Sequence, residues 1–413
     1  MKKRLLVYAH YFYPDVASTA QILTELCEGL EKEFHITVIC VVPSYYGKVD
    51  EKYKRKRIYK EDHKGFDVIR VRVPEFNKKN KISRVKNILA YFFNAIIATL
   101  SVGKQDLVLS ISQPPILGGL LGVIGKTLKN AKYIYNIQDF NPEQTEAVGY
   151  AKNKFVLKFA KDLDKFSCKK ADTVVLVGRD MRRTLEKRFQ GQDVPTNVVI
   201  NNWIDEKKIY PLETEDPQVL LFKEEYGLQD KFVFMCSGNM GLYYDLENII
   251  KVMAEFKDEE DVVFAFVGDG SMKQTLVDYA KENHLNNVKF IPYQDKEDLV
   301  YSLNAADAHL VTNAKGIKGV SVPSKIYGVM ASGKAVLGVL EEGSEARLLV
   351  ENCNCGKCVS PGQYGEIKAL ITEIIEHPLS FKRKGLRGRK AIEDKLKKAS
   401  SINKYEKMMK DEL

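Results

Sequence analysis

No stretch of this 413-residue chain offers the roughly 18 to 20 consecutive apolar positions that a membrane-spanning helix needs. The strongly apolar segment 88–100 is shorter than that. Short-period repeats and low-complexity tracts are absent, and a composition of 45% hydrophobic and 10% aromatic residues argues against disorder. A complete dinucleotide fingerprint is also missing: Gly268-Asp269-Gly270 is followed by Lys273 where a third glycine or alanine is wanted, which counts against hydride transfer. The seven cysteines are odd in number and no cleavable leader precedes them, so a reducing, cytoplasmic setting is expected. Cys353, Cys355 and Cys358 have no fourth ligand nearby, and C-x-C-x-x-C is not a usual zinc pairing. No nucleic-acid motif accompanies the net charge of +9, and no nucleic-acid partner is expected.

That charge is concentrated. Residues 48–86 hold fifteen Lys and Arg against six Asp and Glu, an excess equal to that of the whole chain. The apolar segment 88–100 follows directly. Two readings fit: a helix lying on an anionic membrane with help from basic neighbours, or a buried helix beside a solvated basic loop.

The length suggests two or three domains. Strand-length apolar runs alternate with helical stretches, the pattern of parallel sheets wrapped by helices. Strands are expected at 4–8, 35–41, 67–73, 107–111, 132–137, 173–177 and 197–200, and again at 232–236, 262–267, 288–291, 308–311 and 335–339. The fold class is therefore α/β with two doubly wound, Rossmann-like units presenting their strand ends to a shared cleft. The expected boundaries are 1–205, 206–385 and a basic helical tail, 386–413, that could pack back on the first unit.

The most informative segment runs from Gly319 to Gly333. Pro323 suits a first helical turn, and Ser324 and Lys325 beside it offer a hydroxyl and a cation to a diphosphate at the helix's positive end. Ser237-Gly238-Asn239-Met240-Gly241 follows a strand, and its glycines let backbone come close to a ligand. Asp162 and Asp164 form a D-x-D, but their surroundings read as a helix, where residues two apart do not face each other, so a metal site there is rejected. Asn136 to Pro142 ends a buried strand with polar residues at the rim where open α/β sheets bind ligands, and Tyr11 to Asp15 ends at the same rim. His10 reads as a structural, hydrogen-bonded histidine rather than an active-site one.

In their order along the chain these segments resemble the retaining GT-B glycosyltransferases of family four, particularly the bacterial branch that builds surface polysaccharides. The matches are Tyr11-Phe-Tyr-Pro-Asp15, Ser112-Gln-Pro-Pro115, Ile137-Gln-Asp139, Asn202-Trp-Ile-Asp205, Ser237-Gly-Asn239, Val267-Gly-Asp-Gly270, Pro323-Ser-Lys325 with Ala331-Ser-Gly333, and Gly343-Ser-Glu345. The resemblance implies a nucleotide sugar, a UDP-sugar by expectation, held mainly by the C-terminal domain, and a lipid-linked saccharide acceptor held mainly by the N-terminal one. No cofactor and no metal are expected, and the basic stretch with the apolar segment beside it points to peripheral attachment to the inner face of the cell membrane. The donor candidates are Gly238, Asn239, Gly241, Tyr293, Ser321, Pro323, Ser324, Lys325, Tyr327 and Glu345. Asp15 and Gln138 are the acceptor candidates, and Asp139 and Lys325 the catalytic ones, with Asp139 orienting the acceptor hydroxyl.

The sequence departs from that family in several places. Many relatives carry two glutamates eight positions apart where this chain has Val320 and Gly328. An arginine and a lysine common in the first C-domain loop are Asn239 and Tyr244, and a histidine common at position 138 is Gln138. These departures leave two other outcomes open: an epimerase or hydrolase of nucleotide sugars, or a non-catalytic nucleotide-binding subunit.

Overall fold

A computed structural model describes residues 2–77, 80–150 and 153–413. Lys78 and Lys79 of the basic stretch lie outside them. The chain divides into two compact units, one made of Met1–Glu146, Ala151–Asn201 and Ala399–Leu413, the other of Ala147–Tyr150 and Asn202–Lys398.

The first unit is built on an eight-stranded sheet of β1 (Lys3–Tyr8), β2 (Phe34–Val41), β3 (Ile58–His63), β4 (Phe66–Val71), β5 (Leu107–Ile111), β6 (Lys132–Ile137), β7 (Thr173–Leu176) and β8 (Asn197–Val199), in the order 3-4-2-1-5-6-7-8. Its helices are α1 (Ser18–Leu30), α2 (Lys81–Ser101), α3 (Leu117–Lys129), α4 (Asn141–Ala147), α5 (Lys154–Lys170) and α6 (Met181–Arg188). All pairings are parallel except β3 with β4. β5 and β7 are buried along their whole length, as strands covered on both faces must be, and so read as unbroken apolar runs. β3, of sequence IYKEDH, is a half-exposed antiparallel edge, and its charges hide it from a search for apolar runs.

The second unit carries a parallel six-stranded sheet of β9 (Phe232–Ser237), β10 (Val262–Val267), β11 (Val288–Ile291), β12 (Ala308–Thr312), β13 (Ala335–Val339) and β14 (Gly356–Val359), in the order 11-10-9-12-13-14. Around it run α7 (Pro217–Tyr226), α8 (Leu246–Ala254), α9 (Lys273–Glu282), α10 (Leu299–Asn304), α11 (Lys325–Ala331), α12 (Glu345–Cys353), α13 (Tyr364–Glu376) and α14 (Pro378–Lys395). Its core is aromatic: Phe234 stacks on Phe264 at 5.4 Å between centroids, and Phe266 on Phe290 at 5.5 Å. Cys358 is part of β14, where its Sγ fills the space a side chain on Gly338 of β13 would need.

Two expected boundaries move. The first unit ends at Asn201 rather than 205, because Lys398 pairs with Asp205 and its backbone amide bonds Glu206 at 3.0 Å, tying both to the second unit. The tail divides at 398/399 rather than beginning at 386. Gly385 lies against the Gly333 carbonyl, and Arg389 donates to the carbonyls of Glu206, Ile209 and Ala331, so α14 belongs wholly to the second unit. Only the last helix, α15 (Lys398–Asp411), returns to the first, where Ile402 packs on Gly29 and Tyr405 is fully buried.

Candidate active site

In an open parallel sheet the ligand crevice lies beyond the carboxyl ends of the strands, where the order reverses direction. That point falls between β9 and β12 in the second sheet and between β1 and β5 in the first.

At the second unit's switch point, β9 runs into Gly238, whose φ of +108° is open only to glycine at low cost. The loop is pinned to its neighbour: the Gly238 amide bonds the Val267 carbonyl at 2.8 Å and the Met240 amide that of Asp269 at 2.9 Å. A side chain on Gly268 would come within 2.2 Å of the Gly238 carbonyl, so Gly268 and Gly270 allow two loops to touch rather than cradle a dinucleotide. Among the described residues the amides of Asn239 and Gly241 have no partner. Lys325 reaches into this corner. Its Cε lies 4.0 Å from where a side chain on Gly238 would begin, and its Nζ lies 3.7 Å from Cys236 Sγ and 4.5 Å above the Tyr244 ring. Tyr244 is held by the Thr312 hydroxyl on its carbonyl at 2.9 Å. The neighbouring carboxylate of Asp245 is occupied by Tyr364 and Asn248 at 2.8 and 2.7 Å. Lys325 therefore has no carboxylate partner among the described residues.

The other donor candidates fare unevenly. Pro323 is not in the first helical turn, since α11 starts at Lys325 with Ser324 at its cap. The amides of Ile326 and Tyr327 already bond the carbonyls of Pro323 and Ser324 at 3.2 Å, so the expected row of open amides is shorter than the sequence suggests. Tyr327 is fully buried in the core with Ile209, Val300 and Leu303, which makes it a packing residue. Ser321 is half-buried between the buried Val320 and Val322. Tyr293, beyond β11, is two strands removed from β9. Glu345 is buried in the first turn of α12, where a carboxylate meets the helix's positive end. At the positions of the missing glutamates, Val320 is buried and apolar, and Gly328 faces Leu303.

In the first unit, the Ser112 hydroxyl beyond β5 accepts the amides of Gln138 and Asp139 at 3.1 and 3.2 Å, fixing the turn after β6. The Gln138 side chain donates to Asn136 Oδ1 at 2.9 Å, and Asn136 in turn donates to the Tyr405 hydroxyl of α15. Gln138 is thus a buried brace, whereas Asp139 is half-buried at the rim. Beneath the turn, Arg188 bonds Glu143 at 2.7 Å, pairs with Asp164 and lies 4.3 Å over the Phe140 ring. Asp164 also accepts the Tyr135 hydroxyl at 2.6 Å, which gives the D-x-D aspartate a structural role. Asp15 accepts the amides of Ser44 and Tyr45 at 3.1 and 3.0 Å through Oδ1, while its Oδ2 is buried without a partner. Burial pushes its pKa up to about 6. His10 is buried with the Asn87 side chain as its hydrogen-bond partner, while its Nε2 is buried without one and the ring lines a cavity. Sequence reading missed this, as it missed the Lys325–Tyr244 contact, because neither has a local signal.

Residues 220–393 match the family of glycosyl transferases group 1. That segment is a glycosyl transferases group 1 domain. It is 29% identical over 309 residues to the probable glycosyltransferase WbjE of Pseudomonas aeruginosa, covering 74% of this chain and 76% of that one. To the putative colanic acid biosynthesis glycosyl transferase WcaI of Escherichia coli K12 it is 24% identical over 381 residues, covering 90% and 91%. Among solved structures, Anabaena Alr3699/HepE in complex with UDP-glucose superposes with a TM-score of 0.72 at 15% identity, covering 99% of both chains. The two doubly wound units have the GT-B fold.

Proposed function

We propose that this group 1 glycosyltransferase moves a sugar from a nucleotide diphosphate, a UDP-sugar by preference, to a lipid-linked saccharide in surface polysaccharide synthesis. One observation carries the donor side: Lys325 is a cation with no carboxylate partner among the described residues, at the switch point of the second sheet and beside the open amides of Asn239 and Gly241. Such a corner stabilises the negative charge that gathers on a departing diphosphate. As the bond from C1 to the phosphate oxygen breaks, the acceptor oxygen bonds C1 from the same face and its proton passes to the departing phosphate oxygen. Asp139 orients that hydroxyl at the first unit's rim. HepE's complex with UDP-glucose supports the UDP assignment, and WcaI's name supports the polysaccharide role.

Membrane attachment draws support from the first unit. No helix among the described residues is long and apolar enough to cross a membrane. α2 nevertheless turns Ile82, Val85, Leu89, Phe93, Ile97 and Leu100 outward, and α5 exposes Phe155 (88%) and Phe159 (65%) amid six lysines. α3 packs between the two. Apolar side chains ringed by cations suit an anionic lipid surface.

The test is a thermal-shift and product screen against UDP-, GDP- and ADP-sugars, with and without membrane lipid, with magnesium chelated. Stabilisation by UDP-sugars and lipid-dependent release of UDP are expected. Binding without release under every condition would favour the non-catalytic reading, which the apolar Val320 and the bare Gly328 favour.

A further inference from the structure

The basic charge near the C-terminus takes no part in either corner described above. Between Pro378 and Ile392, α14 carries Lys382, Arg383, Lys384, Arg387, Arg389 and Lys390 and no carboxylate. Arg389 is engaged by the backbone carbonyls that fix the helix, and Lys384 by Asn354 Oδ1 at 2.7 Å. Lys382, Arg383, Arg387 and Lys390 are exposed and make no ion pair among the described residues.

α14 is seated at the amino-terminal end of β13, the opposite end of the sheet from Gly238 and Lys325. A side chain on Gly385 would begin 2.2 Å from the Gly333 oxygen and 2.7 Å from the carbonyl carbon of Lys334, so helix and strand entry are in direct contact. Lys382, one turn before Leu386, is thereby brought to Lys334. From another side, Phe222 of α7 packs in one core with Val233, Ala305 and Ala306, which carries the adjacent Lys223 to the same place.

Three amines from three elements thus meet at the strand entry. Lys223 and Lys334 are half-buried, and neither makes an ion pair among the described residues. Asp307, whose charge favours the Lys334 ammonium, is held on the Val233 amide at 2.8 Å and makes no ion pair with it. Burial pushes the Lys334 pKa down to about 8; Asp307 opposes the shift, and Lys223 and Lys382 add to it. A half-buried ammonium that faces two like charges is unfavourable unless an anion joins them. Compact ammonium groups gathered on one point suit a phosphate, and Arg383 and Arg387 farther along the helix extend the positive field.

We infer that the amino-terminal end of the second sheet holds a phosphate-binding site, separate from the donor corner, in which Lys223, Lys334 and Lys382 bind the diphosphate group of a small soluble ligand. The inference rests on the second unit alone and does not depend on the transferase reading.

Titration calorimetry of inorganic diphosphate into the full chain carrying Lys325→Ala, with magnesium chelated, tests it in the absence of the donor-corner lysine. Saturable binding is expected. Lys382→Ala, at an exposed position, should weaken it severalfold, and Lys223→Ala with Lys382→Ala about tenfold or more. Lys334→Met should weaken it at least as much, yet melt no lower than its parent in phosphate-free buffer of low ionic strength, because it removes a crowded charge. On the Lys325 parent, UDP-induced stabilisation should be the same with and without the Lys223 and Lys382 substitutions. If diphosphate does not bind, or binds the double variant as it binds the parent, the inference falls. If the double variant loses UDP stabilisation, the two sites are one and their separation is overturned. If phosphatidic acid vesicles capture the parent more than the double variant while free diphosphate does not bind, the site reads a lipid headgroup and the soluble ligand is overturned.

Discussion

The two switch points share a topology and differ in material. In the second unit the corner is made of backbone: Gly238, Gly268 and Gly270 let loops touch, two amides stay open, and one lysine supplies the charge. In the first unit it is made of side chains, with Ser112 gathering two amides and an ion triad on Arg188 beneath the turn. In the proposed function the backbone amides meet a phosphate, which is alike in every nucleotide sugar, and the side chains meet an acceptor, whose shape differs from one to the next.

The largest effect should come from breaking the side-chain corner at its base. Arg188→Met strands the buried carboxylate of Asp164 and the half-buried one of Glu143, at a cost of about 3 to 5 kcal/mol measured by denaturant unfolding. Stabilisation by UDP should persist as long as the second unit remains folded. Lys325→Ala tests the backbone corner. It should lower UDP release about 100-fold with little change in melting temperature, and unchanged turnover would remove Lys325 from the mechanism.

A subtler contrast is titratable. The folded pKa of Asp15 lies near 6, above its ordinary value of 3.8, so its favourable contribution is present below about pH 4 and lost as pH rises through 6. Asp15→Asn should therefore exceed wild-type stability by about 2 kcal/mol at pH 8, and the difference should vanish at pH 4. Urea melts at the two pH values measure it. The smallest effect belongs to the outer face. Phe93→Ser with Phe159→Ser should reduce recovery on anionic vesicles severalfold and leave melting temperature within a degree or two, since both rings are already exposed.

Most strands were legible because buried parallel strands are continuous apolar runs, as at 107–111 and 262–267. β3 and β14 were not. The first is half charge, and the second, GKCV, is short and stands in a cysteine cluster that invites a metal question instead. At the site, Gly238 and Lys325 could be read from the chain, because a glycine after a strand and a lysine after Pro-Ser are local signals. Tyr327 could not be told from a ligand contact, because whether a tyrosine faces core or crevice depends on packing from Val300 and Leu303. For His10 the burial was legible, but the unpartnered Nε2 was not.

The return of α15 orders the birth of the molecule. Tyr405, whose hydroxyl meets the Asn136 that holds Gln138, leaves the ribosome after every residue of the second unit. The first unit is thus completed after the second, which can fold while its predecessor still waits for a helix.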